Sequence, residues 1–277
     1  MGTESLSWPC SEGGENRSAL DMRLIENILS LESRGVLSLV GGGGKTSIMF
    51  HLARLLAQSG KRVLTTTTTK IFLPAADQSE TVLVDTDPER ILRQVANYAT
   101  ATVGHSVIDG KLIGFAPGVI HVFMESGLFD WILVEADGSA RRPLKAHAGH
   151  EPVIPSNTTV LITVAGLEVL GEPLSEELVF RSELAGPLMG LAAGETITET
   201  ALAHLFSHPL GAFKGAPSQA RRFIFLNKAD DSVRRESGAQ IAAELRQSAC
   251  TVAEAVVVGQ ALDMFRIHAV HPLAVPV

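Results

Sequence analysis

Seven consecutive residues, Gly41-Gly42-Gly43-Gly44-Lys45-Thr46-Ser47, carry the chemistry of phosphate binding. Glycines let backbone N–H groups turn inward around phosphate oxygens, because they accept backbone angles closed to other residues. The N-terminus of a following helix adds partial positive charge. In such a loop Lys45 reaches the β- and γ-phosphates, and Thr46 places its hydroxyl on Mg²⁺. The pattern GxxxxGK[ST] wants a glycine where this chain has Leu39, so the loop reads as a compact G-x-x-G-K-T variant.

A second group of reactive residues ends an apolar run. Trp131-Ile132-Leu133-Val134 is followed by Glu135-Ala136-Asp137-Gly138. A carboxylate at that point holds Mg²⁺ through water or orients a nucleophilic water, as in a Walker B segment. Period-two geometry sets Glu135 and Asp137 on one side of an extended strand. Arg141, Arg142, Lys145, His147 and His150 follow at once and suit an anionic second substrate. The threonine tract Thr65–Thr69 and Lys70 lie at another strand end, where a parallel sheet opens its ligand crevice. Finally, Asn227-Lys228-Ala229-Asp230 is an NKxD motif after the apolar run Phe223–Leu226. In that motif the Asp carboxylate accepts from the ring N1–H and exocyclic amine of guanine, the Lys stem packs along the base, and the Asn steadies the loop.

These residues need strands and helices to hold them. Val36–Val40 reads as a buried strand and Lys45–Ser59 as a helix that Gly60 ends. Further strands are predicted at Arg62–Thr67, Thr81–Val84, Asp130–Val134, Thr159–Val164, Arg222–Leu226 and Thr251–Val258. Helices are predicted at Leu20–Ser33, from Pro88 with Asp87 as cap, from Pro117 to Met124, at Ser175–Glu183, at Thr196–Phe206 with a Thr196–Glu199 capping box, and at Ser232–Gln247. Strands alternate with helices and several are continuously apolar, the signature of a parallel sheet covered on both faces. The fold expected is an α/β, P-loop NTPase-like, doubly wound, mostly parallel sheet. Residues 1–19 read as a disordered tail and 20–277 as one nucleotide-binding domain with an irregular insert near 165–215.

Composition narrows the function. The chain has 277 residues, 45% of them hydrophobic, enough for a full core. Its net charge of −7 disfavours general nucleic-acid binding. No apolar run of membrane-spanning length occurs, and the first residues lack a signal-peptide pattern. The two cysteines, Cys10 and Cys250, imply no disulfide framework and no CxxC metal site, so a reducing, cytoplasmic setting is expected.

Taken in order, Leu39–Thr46, Thr66–Lys70, Val134–Ser139 with Arg142-Pro143-Leu144-Lys145, Glu151–Pro155 and Asn227–Asp230 resemble the YqeC family. That family is named for selenium cofactor biosynthesis and is also described as an accessory to selenium-dependent molybdenum hydroxylases. The likeness runs from about Leu20 to the C-terminus. One departure is Phe180-Arg181-Ser182-Glu183, where family members often have His-Arg-Pro-Glu. The resemblance implies nucleotide-dependent maturation of a hydroxylase cofactor, using ATP or GTP with Mg²⁺. Gly41–Gly44, Lys45, Thr46 and Ser47 would hold phosphates, and Asn227, Lys228 and Asp230 the base. Thr46 and Asp137 would hold Mg²⁺. Lys45, Glu135 and Lys70 would serve catalysis, with Glu135 orienting water or a selenium species. Arg142 and Lys145 would hold an anionic partner such as a phosphoryl group, and a selenium-containing anion is a further expected partner. Two alternatives stay open: a Mur-type ATP-dependent ligase, which has a similarly short loop, and a non-catalytic, nucleotide-gated cofactor chaperone.

Overall fold

The computed structural model describes residues 34–248, 252–262 and 264–273. The predicted tail, the predicted helix at Leu20–Ser33, and both cysteines lie outside these residues.

Nine strands form the main sheet. In chain order its members are β1 (Gly35–Gly41), β2 (Val63–Thr67), β4 (Val82–Val84), β5 (Thr100–Gly104), β8 (Trp131–Glu135), β10 (Val160–Gly166), β12 (Arg221–Asn227), β13 (Ala255–Gln260) and β14 (Arg266–Pro272). Three short strands, β3 (Lys70–Phe72), β6 (Ser106–Ile108) and β7 (Lys111–Ile113), make a separate antiparallel sheet in the order β3-β7-β6. A two-stranded pair joins β9 (Leu144–Lys145) to β11 (Val179–Phe180). The helices are α1 (Lys45–Gln58), α2 (Pro88–Val95), α3 (Pro117–Glu125), α4 (Ser182–Met189), α5 (Glu199–Ser207) and α6 (Ser232–Gln247).

The spatial order is β14-β13-β12-β10-β1-β8-β2-β5-β4. Every pairing is parallel except that of β13 with β14. β1 is central, flanked by β8 and β10, and all three are buried along their whole length. That burial explains their unbroken apolar runs, since helices must cover both faces. Side chains alternate across the sheet. Val36, Val40, Ile132, Val134, Leu161, Ile224 and Val256 join one large cluster with Phe123, Phe206 and Ile241 from α3, α5 and α6. Leu37, Leu39, Leu133 and Ile162 are equally buried but fall outside that cluster. They alternate with the cluster residues along the strands and so face the other side of the sheet, where α1 packs against β1, β2 and β8. The chain is therefore doubly wound, an α/β fold of the P-loop NTPase-like kind.

Several local expectations needed revision. The helix expected at Ser175–Glu183 begins only at Ser182. Val179 and Phe180 pair with β9 instead, Arg181 has φ 62°, and Glu176 Oε1 accepts from Ser182 N at 2.9 Å. The cap of α5 is Thr198, whose hydroxyl accepts from Ala201 N at 3.2 Å; Thr196 bridges Pro173. Asp87 caps α2 as expected, accepting from Glu89 N at 3.0 Å. The antiparallel edge strand β14 was not anticipated. Its residues are only half-buried, which leaves a weak apolar signal.

Candidate functional site

The crossing from β1 to α1 places the glycine loop at the carboxyl end of the central strand. Gly41, Gly43 and Gly44 have φ of 96°, 75° and 115°, conformations that a side chain resists. They are also crowded. A Cβ on Gly43 would lie 2.4 Å from Gly166 N, and one on Gly44 would lie 2.5 Å from Asn227 Nδ2. The loop is pressed against the segment Arg142–Leu144 and the end of β10.

This packing redirects the loop's amides. Gly41 N donates to Asp137 Oδ2 at 3.0 Å, Gly42 N to Val164 O at 2.9 Å, and Gly43 N to Arg142 O at 3.0 Å. The expectation that these three N–H groups ring a phosphate is therefore corrected: they are spent within the protein, because the loop is a wall against β10 and the 142–144 segment. The donors left over are those from Gly44 into the first turn of α1, where Lys45, Thr46 and Ser47 have no preceding carbonyl of their own helix to bond. Gly44, Thr46 and Ser47 are half-buried rather than sealed.

β8 lies beside β1 and delivers both acids. Thr46 Oγ1 donates to Glu135 Oε2 at 2.6 Å. Lys45 is buried, with Nζ 2.5 Å from Gly41 O, 3.1 Å from Asp137 Oδ1 and 3.7 Å from Glu135 Oε1. Asp137 is fully enclosed. Its Oδ2 meets His147 Nε2 at 2.8 Å and Lys145 Nζ at 3.2 Å. Asp137 thus sits in an ion-pair network and does not reach Thr46. The acid at Thr46 is Glu135. The structure thus sets Glu135, and not Asp137, beside Thr46, because Asp137 turns beneath the loop to take the Gly41 amide.

Burial works against the charge on all three central groups, with different outcomes. For Lys45 the pull of Asp137 and Glu135 outweighs burial, and its pKa is raised. For Glu135 burial prevails over Lys45 and the Thr46 hydroxyl, and its pKa is raised. For Asp137 burial is outweighed by Lys45, by the His147 hydrogen bond and by Lys145, which hold it well below the usual carboxylate range.

The network continues outward. Lys145 Nζ also donates to Gly138 O at 2.7 Å and to Glu151 Oε2 at 2.9 Å, and Arg181 pairs with the same Glu151 oxygen. With three acceptors and a side chain sealed from solvent, Lys145 has no proton left for an anionic substrate, and that expectation is corrected. Arg142 stays partly exposed, over the Phe180 ring at 5.2 Å and 3.7 Å from Glu176. Arg181 stacks on the same ring at 4.5 Å. Glu151 and Arg181 escaped notice as site residues. Only their place inside the quoted Glu151–Pro155 and Phe180–Glu183 stretches could have drawn attention to them.

The threonine tract is structural. Thr65 Oγ1 lies 2.7 Å from Thr102 Oγ1, while Thr66, Thr67 and Thr68 donate to Val103 O, Glu135 O and Val153 O at 2.8, 2.7 and 2.6 Å. Lys70, expected near the phosphates, starts β3 and is exposed on the small sheet. The NKxD residues meet the loop from β12. Asn227 Nδ2 donates to Gly43 O at 2.7 Å. Lys228, at φ 62°, pairs with Glu168, and Asp230 is exposed with Arg234 Nη1 3.4 Å away.

Two solved structures of the signal recognition particle receptor FtsY are similar in outline. The one from Elizabethkingia anophelis has 12% identity and a TM-score of 0.38, and covers 91% of this chain and 70% of its own. Chloroplast FtsY from Physcomitrella patens has 13% identity and a TM-score of 0.30, covering 93% and 70%. In sequence, YqeC of Escherichia coli (strain K12) is 40% identical over 195 residues, which is 70% of this chain and 75% of the relative. The sequence profile of the YqeC protein family matches residues 37–183, from inside β1 into α4. With more than half its length matched, including the glycine loop, both acids and Arg181, this chain belongs to the YqeC family.

Proposed function

We propose that this protein binds a nucleoside triphosphate with Mg²⁺ and uses it in the maturation of a selenium-dependent molybdenum hydroxylase. The observation that carries the nucleotide reading is the meeting of Lys45 and Thr46 with Glu135 at the end of the adjacent strand. Phosphate oxygens would take the amides of Gly44 to Ser47 and the Lys45 ammonium, aided by the α1 dipole. To reach them, Lys45 must leave Asp137, which keeps Lys145 and His147 as partners.

The donor set fits Mg²⁺. Thr46 and Glu135 offer two hard oxygens 2.6 Å apart, and Mg²⁺ takes the rest of its shell from water and phosphate. Among the described residues no group of three or more His, Cys, Asp or Glu is arranged for a metal, as would be needed by an all-protein cage. Bound there, Mg²⁺ would neutralise phosphate charge during hydrolysis. Glu135, as a carboxylate beside Thr46, would hold the ion directly or through a water. Arg142, partly exposed beside the loop, is the cation available to an anionic partner such as a selenium-containing anion.

Asp230 stands exposed for a base, and Asn227 ties the base-side strand to the phosphate loop. The NKxD pattern supports guanine over adenine, because its carboxylate accepts from the ring N1–H and the exocyclic amine that guanine presents together. Titration with GTP and ATP, with and without Mg²⁺, tests the reading: saturable Mg²⁺-dependent binding is expected, and its absence for both nucleotides overturns it. The selenium pathway is supported by membership of the YqeC family. No described helix is long and apolar enough to cross a membrane.

A further inference from the structure

The small sheet β3-β7-β6 has two unlike faces. Ile71, Leu112 and Val107 lie opposite one another across the strands, and Ile71 and Leu112 are buried against the body of the protein. Phe72, Lys111 and Ile108 form the next row and share the outer face with Lys70. Phe72 is 53% exposed and Ile108 56%. Lys111 Nζ lies 5.0 Å from the Phe72 ring centroid and Arg141 Cζ 5.3 Å from it. Arg141 arrives there through two successive non-glycine residues in the left-handed region, Ala140 at φ 49° and Arg141 at φ 65°. Such strain persists where the surroundings over-determine it and clusters at functional surfaces.

The charge on this face is unbalanced. Among the described residues no carboxylate pairs with Lys70, Lys111 or Arg141. The whole chain carries −7, so three unmatched cations around exposed apolar side chains are a local inversion of its character. The backbone is also open. β6 is an edge strand, bonded to β7 on one side and to no other strand among the described residues. Edges of this kind accept an added strand.

We propose that this face docks an extended, acidic and apolar segment of a partner protein, laid alongside β6. Its backbone would bond the open edge, its apolar side chains would cover Ile108 and Phe72, and its carboxylates would meet Lys70, Lys111 and Arg141. A lipid surface or a polyphosphate brings no strand to pair with the open backbone edge, which an extended peptide does. The face is also wired to the candidate site. β3 follows the threonine tract directly; Gly114 N donates to Thr69 O at 2.9 Å and Thr68 N to Glu135 O at 3.2 Å. The proposal stands whether or not a nucleotide binds.

The test uses the full chain with a photocrosslinking residue at Ile108, irradiated in its host cells. The crosslinked peptide is sequenced, synthesised and titrated against the unmodified protein. An acidic, apolar segment is expected, with affinity falling at least tenfold for the Lys111→Glu/Arg141→Glu variant and recovering when the peptide's acids are replaced by lysines. An unchanged thermal midpoint in the variant keeps a loss of binding from being a loss of fold. The proposal is overturned by no crosslink, by a crosslink to this chain itself, by a peptide indifferent to the charge reversal, or by binding to phosphatidylserine–phosphatidylcholine vesicles that the same variant abolishes.

Discussion

Asp137 and Glu135 are two residues apart on one strand end, yet the structure assigns them opposite energetic roles. Replacing Asp137 with Asn removes the one negative charge shared by Lys45, Lys145 and His147, and turns an amide N–H₂ toward groups that are themselves donors. Breaking a buried ion pair from one side costs about 3–5 kcal/mol. The lower end applies here, because Lys145 keeps Glu151 at 2.9 Å and Lys45 keeps Glu135 at 3.7 Å. In a protein of this size about 3 kcal/mol lowers the melting midpoint by roughly 6–12 °C. Glu135→Gln differs. The amide oxygen still accepts from Thr46, the charge removed is one that burial already penalises, and Lys45 keeps Asp137 at 3.1 Å. Its expected effect is within about 1 kcal/mol of zero, in either direction. Thermal unfolding of the nucleotide-free variants, followed by circular dichroism, measures both. A double-mutant cycle with Lys145→Met should return a coupling of roughly 1–3 kcal/mol. Equal midpoints for the two single variants, or Glu135→Gln as the more damaging, would refute the assignment of Asp137 as the hub of the network.

Lys45→Ala removes the charge-assisted contact to phosphate and should weaken triphosphate binding by roughly 1.5–3 kcal/mol; calorimetry on the variant checks this, and unchanged affinity counts against the phosphate loop. Asp230→Asn should narrow a preference for GTP over ATP, and a native protein that prefers ATP sinks the base assignment. Acid should destabilise the fold through Asp137 and Glu151, whose folded pKa values lie below their unfolded ones. Their contribution is full above the unfolded values near 4 and is lost as pH falls through the folded ones, against an opposite contribution from Glu135. Urea midpoints at pH 7, 5 and 3.5 should therefore drop mainly in the last step, and Asp137→Asn should flatten that drop. A host lacking this protein should make the hydroxylase polypeptide with little selenium, unrescued by the Lys45→Ala protein; normal selenium content by elemental analysis removes the pathway assignment.

The parts of the site legible in the sequence were those fixed by local chemistry. Four glycines before Lys45 and Thr46 announce a strand–turn–helix junction, and two acids after four apolar residues announce a strand end. Helix caps such as Asp87 follow from one or two residues. What stayed hidden depends on contacts distant along the chain. The fate of the glycine amides is set by Asp137, Val164 and Arg142, each about a hundred residues away. The sealing of Lys145 needs Glu151 and Asp137 together, and no spacing rule separates a buried lysine from a basic loop. The threonine tract looked reactive because its hydroxyls are many; the neighbouring strands that consume them are invisible until the sheet is ordered.

The spent amides of Gly41, Gly42 and Gly43 bear on time as well as affinity. A loop with free N–H groups around a triphosphate grips it at many points, and departure requires all of them to let go together. Here three of those handles are already held by the protein, and a ligand would be retained chiefly by the opening turn of α1 and one lysine. Fewer points of attachment mean a shorter residence time, since affinity differences are expressed mostly in the rate of departure. A nucleotide held this way should leave faster than one ringed by the free amides of a full glycine loop.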